Sequence, residues 1–522
     1  MSRSAIVPEP ENTPEQPTAS ESILTAAKGG GIMFAGTMIE YVGRFALGFL
    51  LARLMGDEQY GLYSLTDSAV YLMIGIAPLG LGTAILHFVP VFGSHRDQQS
   101  LRTTLQIGLV LPSIVSLLIG VAFYVFANPL ALTVFHEPRL ALLLRIAAIS
   151  VPCGTLAAMA VSATQGFKQM KYKVIAQDIL LTMLKLVLTA LLAITGLSAV
   201  KAMTAYSVAM VVSCLALLYF LSRITPLNPS LHWDLPHTRQ MLRFALPVYI
   251  AELLTVFGPN IRTLILGSLN TIRAVGVFTI ASRINMVGSA FLNSISTMSM
   301  PIVSELHANK EREKLRHFYQ TMNKWTFTCN LPVFLLILLF ARPILMLFGK
   351  SFVSGSTGLV ILAFSNLVSA ATGICGVVII MTENVWLNTT NSVVRLVSTV
   401  ALSLWLIPAG GVVGAATATA ASIILVNLLL TIEVFALLRL LPYNKSFVKP
   451  VIAGILSALA TYALLNGVFR SESIGSVAAG IGVLLTVYVG AILLLGLSEE
   501  DRMVLRRLYS RLSRIPVFAR WL

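Results

Sequence analysis

Runs of roughly 20 apolar residues, the length a helix needs to cross a hydrocarbon core about 30 Å thick, repeat along this chain almost to its end. The expected spans are residues 23–54, 62–91, 103–127, 140–164, 174–194, 202–221, 242–269, 275–303, 325–340, 353–381, 392–407, 413–438, 451–468 and 474–495. Composition agrees: 56% of residues are apolar and 11% are charged, against about 45–50% and about 25% in soluble domains. A mean hydropathy of +0.84 over the whole length excludes a soluble enzyme with one anchor and a disordered scaffold. The expected fold class is an all-α polytopic membrane protein of about 14 transmembrane helices.

The excess of 37 Lys and Arg over 22 Asp and Glu, a formal +15, is explained by where it sits. One set of loops carries Arg96, Arg102, Lys168, Lys171, Lys173, Arg223, Arg239, Lys310, Arg312, Lys314, Arg316, Lys445 and Lys449. The other set offers Arg139, Lys201, Arg273, Arg342, Lys350 and Arg470. By the positive-inside rule the rich side is cytoplasmic, which places both termini inside a cell (inner) membrane and makes nucleic-acid binding unnecessary as an explanation. Residues 1–22, polar with Pro8, Pro10, Pro14 and Pro17, read as a disordered cytoplasmic tail without the features of a cleavable signal. In 498–522, Leu505, Leu508, Leu512 and Ile515 recur at helical spacing with Arg502, Arg506, Arg507, Arg511 and Arg514 on the other face. That pattern predicts a basic amphipathic helix in the headgroups of anionic lipids. Cys153, Cys214, Cys329 and Cys375 each lie in an apolar run and read as small buried hydrophobes.

The chain also matches itself at a fixed offset. Residues 43–65 (GRFALGFLLARLMGDEQYGLYSL) lie over 258–280 (GPNIRTLILGSLNTIRAVGVFTI) without a gap, aligning Gly43 with Gly258, Leu51 with Leu266, Leu54 with Leu269 and Gly61 with Gly276. At the same offset Gly196 falls on Gly411, Ala205 on Ala420, Ser207 on Ser422 and Val211 on Val426. Glycines matched at two distant points indicate a duplication. Six helices per half return the chain to its starting side, so the halves point the same way, about an axis along the membrane normal, with a substrate path between them. The expected organisation is a tail (1–22), an N-lobe (23–222), a cytoplasmic connector (223–240), a C-lobe (241–438), two further helices (439–497) and the basic helix (498–522).

A charge at the bilayer centre costs on the order of 2.5–3.5 kcal/mol, so midspan charges should face a cavity or a partner. The cations are Arg44, Arg145, Lys185, Arg262, Arg283 and Arg395, and the acids are Glu40, Asp67, Asp178, Glu252 and Glu433. Arg44, Lys185, Arg262, Arg283 and Arg395 are the candidate substrate-binding residues. Glu40, at i,i+4 from Arg44, either couples an ion or forms a structural pair with that arginine. Lys185 has no acid one turn away, only Asp178 two turns back. Arg262 follows Pro259 and Asn260, where it either lines a break in its helix or snorkels outward. Glu252, between Pro247 and Pro259, either carries a proton or sodium ion or is a static partner for an arginine. Pro78, Pro112, Pro152 and Pro332 kink helices or free carbonyls. No metal-ligand cluster and no GxxxxGK[ST] pattern is present, so no cofactor and no ATP hydrolysis by this chain is expected.

The opening GGGIMFAG…LLARLMGDEQYGLYSL, then GVFTIASRI…MPIVSEL and IPAGGVVGAATATAAS, resemble the polysaccharide-transporter branch of the multidrug/oligosaccharidyl-lipid/polysaccharide exporter superfamily, above all its O-antigen and capsule repeat-unit flippases. The resemblance spans about residues 24–496. It implies two six-helix lobes plus a helix pair, a cationic cavity and alternating access. The implied activity is moving a polyprenyl-diphosphate-linked oligosaccharide from the cytoplasmic to the outer leaflet, beside polysaccharide polymerase and chain-length proteins. The residues fit such an activity, since cations at mid-depth with Asn285, Asn293 and Asn366 would replace hydration lost by a sugar diphosphate, whose hydroxyls each cost several kcal/mol unpaired in hydrocarbon. A lipid II flippase is the rival that charge does not separate. A cation-coupled drug exporter would favour an acidic or aromatic cavity, and a membrane polymerase or ligase would carry a large external loop.

Overall fold

The computed structural model of the chain describes residues 19–94, 97–225, 235–467, 474–496 and 500–503. Residues 1–18, Arg96, Trp233 and Asp234 of the connector, Arg470 and residues 504–522, most of the expected basic helix, lie outside the described residues. Among those described there is helix and no strand.

By length and composition 10 helices are able to cross a membrane, or 12 when each of two bent pairs counts as a span. Two runs are too long for one crossing. At 1.5 Å per residue, the 58 residues of Ala19–Ile76 would reach about 87 Å and the 53 of Trp386–Leu438 about 80 Å. Each contains a glycine at positive φ, Gly56 (73°) and Gly411 (49°), and each folds back there. Residues 44 and 60 of a straight helix would stand about 24 Å apart, yet the Arg283 guanidinium reaches both, donating to the Arg44 carbonyl at 3.2 Å and sitting 5.9 Å from the Tyr60 ring centre. Likewise Gly414 lies against the carbonyl of Leu406, eight residues back. Dividing both runs adds two spans to the 12, giving 14.

These spans are α1 (19–55), α2 (62–94, after a helical connection at 57–61), α3 (Gln98–Val125), α4 (Leu140–Gly166), α5 (Met170–Ala193), α6 (Ala199–Ile224), α7 (Leu235–Leu269), α8 (Ile272–Ala308), α9 (Arg312–Phe348), α10 (356–381), α11 (385–410), α12 (412–438), α13 (Val448–Gly467) and α14 (Ile474–Leu494). The first six form one lobe and the next six the other. The last pair sits on α9, where Phe327, Leu331 and Leu335 bury against Ala453, Leu484 and Tyr488.

The two lobes meet along a pseudo-twofold axis. A residue on such an axis touches its own mate in the other repeat. Two here do so at the spacing of the sequence repeat: Glu58 accepts from Arg273, 215 positions on, at 3.1 Å, and Gly276 lies against the backbone of Gly61. Gly196 and Gly411, matched in sequence, both hold positive φ. The parallel repeat is therefore a structural fact. Glu58 and Arg273 mark one end of the molecule, the far end; the loops rich in Lys and Arg mark the opposite, basic end.

Several local expectations change. α2 bends by 46° where Leu79 and Gly80 adopt positive φ just after Pro78. α7 starts at Leu235, inside the expected connector, and is not interrupted at Pro247 or Pro259; its 42° bend falls between them, separating Thr238–Leu254 from Val256–Leu269. α10 is broken at Gly373 (φ 62°), and α5 opens with π-helix at Val174–Leu181. The described start of the C-terminal segment docks on α9. Lys324 Nζ of α9 lies 2.9 Å from both Asp501 oxygens, Trp325 Nε1 donates to Asp501 Oδ1 at 2.7 Å, and His317 Nε2 lies 2.9 Å from Glu500.

Candidate functional site

Three of the five candidate cations converge at mid-depth. Counting 1.5 Å per residue from the far end, Arg44 on α1, Lys185 on α5 and Arg283 on α8 sit roughly 12–18 Å down their helices. Arg283 belongs to one lobe in sequence and to the other in space. Its helix is drawn close by Gly48 of α1, where any Cβ would strike the guanidinium, and Arg283 Nη1 donates to the Arg44 carbonyl across the lobe boundary.

Around them stand groups of both signs. Arg44 Nη1 lies 3.4 Å from Glu40 Oε1, one turn along α1, so the expected pair forms while the arginine stays exposed. Lys185 Nζ sits 3.9 Å from the centre of the Tyr206 ring of α6, a cation–π contact worth about 0.5–2 kcal/mol. Asp67 of α2 completes the group, acting electrostatically on Lys185, Arg283, Tyr60, Tyr63 and Tyr206. Lys185 in turn lies within electrostatic range of Arg44, Glu40 and Arg283. Three cations against Glu40 and Asp67 leave one positive charge unbalanced. The expected distant partner, Asp178, is taken by Lys173 at 2.7 Å instead, because the π-helical opening of α5 turns Asp178 into the packed face against Gly36.

The other two candidates form a separate group. Arg262 of α7 and Arg395 of α11 lie within electrostatic range of one another in the C-lobe. Glu252 is not part of either group: its Oε1 accepts from Thr83 of α2 at 2.6 Å, and Tyr249, beside it, donates to the Ile76 carbonyl at 2.7 Å, so this stretch of α7 ties the lobes together. Asn285 and Asn366 bond to each other at 2.9 Å, and Asn293 is exposed on α8. Arg145 sits 5.7 Å over the Tyr124 ring. Among the described residues no group of His, Cys, Asp or Glu is placed to hold a metal ion.

The far end is closed. Gly61 meets the Ile272 carbonyl and Gly276 the Asp57 carbonyl so tightly that a methyl at either position would collide with backbone. Above this contact Glu58 accepts from Arg139 at 2.7 Å and from Arg273 at 3.1 Å, while Arg139 also holds Glu137 at 2.7 Å. The Arg139 guanidinium, then that of Arg273, holds the Glu58 carboxyl below the usual carboxylate range, and Arg139 does the same to Glu137. Asp67 stood in the sequence as an unassigned midspan acid. The tyrosines carried no signal, because an aromatic residue in an apolar helix is ordinarily core.

Known proteins share this architecture. The family model described as "Polysaccharide biosynthesis protein" matches residues 26–307, more than half the chain, and that described as "MatE" matches residues 247–385. Stage V sporulation protein B of Bacillus subtilis (strain 168) is 28% identical over 115 residues, spanning 22% of this chain and 22% of that protein. Among solved structures, one titled "Lipid II flippase MurJ, inward closed conformation" has a TM-score of 0.72 at 15% identity, covering 90% of this chain and 98% of that one. An inward-facing structure of a multidrug resistance MATE family transporter of the MOP superfamily has a TM-score of 0.62 at 18% identity, covering 77% and 94%. At these identities the likeness is one of fold.

Proposed function

From the premise that this chain belongs to the polysaccharide biosynthesis protein family, we propose that it is a flippase for polyprenyl-diphosphate-linked oligosaccharide, working by alternating access between its lobes. The observation that carries this reading is the convergence of Arg44, Lys185 and Arg283, drawn from both lobes, on one spot at mid-depth with an unbalanced positive charge. A diphosphate carries the complementary charge, and bonds between cation and phosphate are about twice as strong as neutral ones. The buried Tyr206 and Tyr60 rings lie under Lys185 and Arg283 and support those cations from behind. A path between lobes leaves the lipid tail in the bilayer while the headgroup crosses.

Because Arg283 reaches the N-lobe while Lys185 and Arg44 belong to it, a phosphate held by all three bridges the lobes. Parting them at the far end tears Arg283 away and weakens the grip, which is what release requires. The basic end faces the cytoplasm by its loop charges, in a cell (inner) membrane with both termini inside, so the headgroup enters there and leaves at the far end. One charge moved through 100 mV supplies about 2.3 kcal/mol, enough to drive the cycle by proton or sodium coupling. Glu40, beside Arg44, is better placed for that coupling than Glu252. Polymerase and chain-length proteins would receive the product. The work is transport, with no bond made or broken.

Lys185→Ala and Arg283→Ala each should cut surface polysaccharide by about tenfold or more, as loss of one charge-assisted contact implies, with protein abundance unchanged. Normal polymer from both variants would overturn the reading.

A further inference from the structure

At the basic end of the α5–α6 hairpin stands a row of aromatic rings with a cation at each end. Tyr172, at the start of α5, stacks on Phe220 of α6 with ring centres 4.8 Å apart, and Tyr219 adjoins Phe220 at 5.9 Å. Lys171 Nζ lies 4.9 Å over the Tyr172 ring. The Arg223 guanidinium lies 5.1 Å from the Tyr219 ring and donates to its hydroxyl at 2.8 Å. Just inside the row, Ser213 Oγ of α6 donates to the Ala176 carbonyl of α5 at 2.8 Å and holds the helices together. Both cations are exposed, as is Lys168 in the turn before α5.

The protein supplies no anion here. Asp178 is the single acid in residues 166–225, and it is buried against Lys173 at 2.7 Å. Among the described residues, Lys168, Lys171 and Arg223 make no ion pair. On α9, at the same end of the molecule, Lys314 has Glu311 at 3.0 Å and Lys324 has Asp501 at 2.9 Å.

The row faces lipid and not the space between the lobes. Tyr206 of α6 points at Lys185. Val208, Val212, Leu215 and Tyr219, all exposed, stand about 180–240° around the helix from Tyr206 at 3.6 residues per turn. On α5, Met183 and Val187 lie two residues to either side of Lys185, about 160° from it, and are exposed as well. Each apolar stripe runs to the basic end and passes into a cation one turn on, from Ile175 to Lys171 and from Tyr219 to Arg223.

The geometry points to a binding site for an anionic phospholipid on this outer face, with the phosphate between Lys171 and Arg223 and an acyl chain along the groove between α5 and α6. The two rings hold the cations in place by cation–π contact while leaving their outer N–H groups for phosphate. Cations at a membrane surface each add to the attraction for anionic lipid. A zwitterionic lipid brings its own cation and leaves the charge unanswered, so the site selects for net negative headgroups. It stands apart from the flippase reading, since it lies on one lobe and on the opposite face from Lys185.

The test places the full-length chain in nanodiscs of phosphatidylcholine containing a little phosphatidylglycerol with a photoreactive diazirine in its acyl chain, and locates the labelled peptides by mass spectrometry. The wild type should be labelled on the α5–α6 groove, and unlabelled phosphatidylglycerol, but not added phosphatidylcholine, should displace the label. Lys171→Gln combined with Arg223→Gln should cut this labelling by about tenfold or more. Lys171→Arg combined with Arg223→Lys, which keeps both charges, should retain most of it. Lys314→Gln combined with Arg316→Gln, which removes two cations elsewhere at the basic end, should leave it unchanged. Labelling that survives the first double variant, or that phosphatidylcholine displaces equally well, would mean an ordinary annular lipid and overturn the site. Equal loss in the Lys314 and Arg316 variant would mean diffuse attraction to the basic end, and equal loss in the charge-keeping variant a structural role; either would also overturn it.

Discussion

The lobes touch in two quite different ways. At the far end contact obeys the repeat: Gly61 meets Gly276 backbone to backbone and Glu58 meets Arg273 through their side chains, each residue beside its own mate. At mid-depth it is side chain on backbone and ignores the repeat. The mate of Arg283 is Ser68, that of Lys185 is Val400, that of Arg44 is Pro259, and that of Asp67 is Ser282. Arg262 and Arg395 likewise answer to Leu47 and Leu180. Duplication thus supplies the seal, where two equal surfaces must close on each other, while the charges that would meet a substrate arose in one copy or the other. An asymmetric ligand needs an asymmetric site.

The difference is broken most severely at the seal. Gly276→Ala places a methyl against the Asp57 carbonyl, and overpacking of this kind costs about 1–3 kcal/mol. The far end should stay ajar, so that a cysteine at position 283 reacts with an impermeant maleimide from the Glu58 side, where the unaltered seal protects it. Labelling that does not change would mean the glycines only fill space.

The mid-depth cluster is probed next through its resident acid. Asp67→Asn removes one of two negative charges facing three cations, and pyrophosphate should bind several-fold to about tenfold more tightly in calorimetric titration. Weaker binding would show that Asp67 orders the cations instead of opposing the anion.

The smallest effect belongs to the ion pairs above the seal. With its carboxyl held low, Glu58 contributes its full share above the ordinary carboxylate value of about 4.3 and loses it as pH falls through the lowered value. Maleimide labelling at position 283 should therefore be flat from about pH 8 to about pH 5.5 and rise only in stronger acid. Glu58→Gln should reproduce the acid behaviour at neutral pH, by less than about 1 kcal/mol, since the pairs are exposed. Labelling that rises already near pH 6 would point to another titrating group.

How much of this could be read from the chain follows the same division. The spans and the repeat were legible because hydrocarbon thickness and a matched offset are properties of sequence; Gly61, Gly276, Gly196 and Gly411 stand out as aligned glycines without knowledge of any contact. Six cations were legible as charges too costly for lipid. Their grouping was not, because it depends on which helices touch. Nothing near Arg283 in sequence shows that it crosses to Arg44, and the π-helical opening of α5 redirects Asp178 from Lys185 to Lys173. The break at Leu79–Gly80 was announced by Pro78, while the one at Gly373 was hidden inside an apolar run that reads as a single helix.

The central claim is that cations from both lobes hold one diphosphate while the headgroup crosses. Transfer of a fluorescent polyprenyl-diphosphate oligosaccharide between leaflets of proteoliposomes tests it most directly, comparing the wild type with Lys185→Ala, Arg283→Ala and the double variant. The account predicts rapid transfer by the wild type, a loss of about tenfold or more in each single variant, and a double variant little worse than either single, because the two residues grip the same group. Transfer by both single variants at the wild-type rate would contradict it.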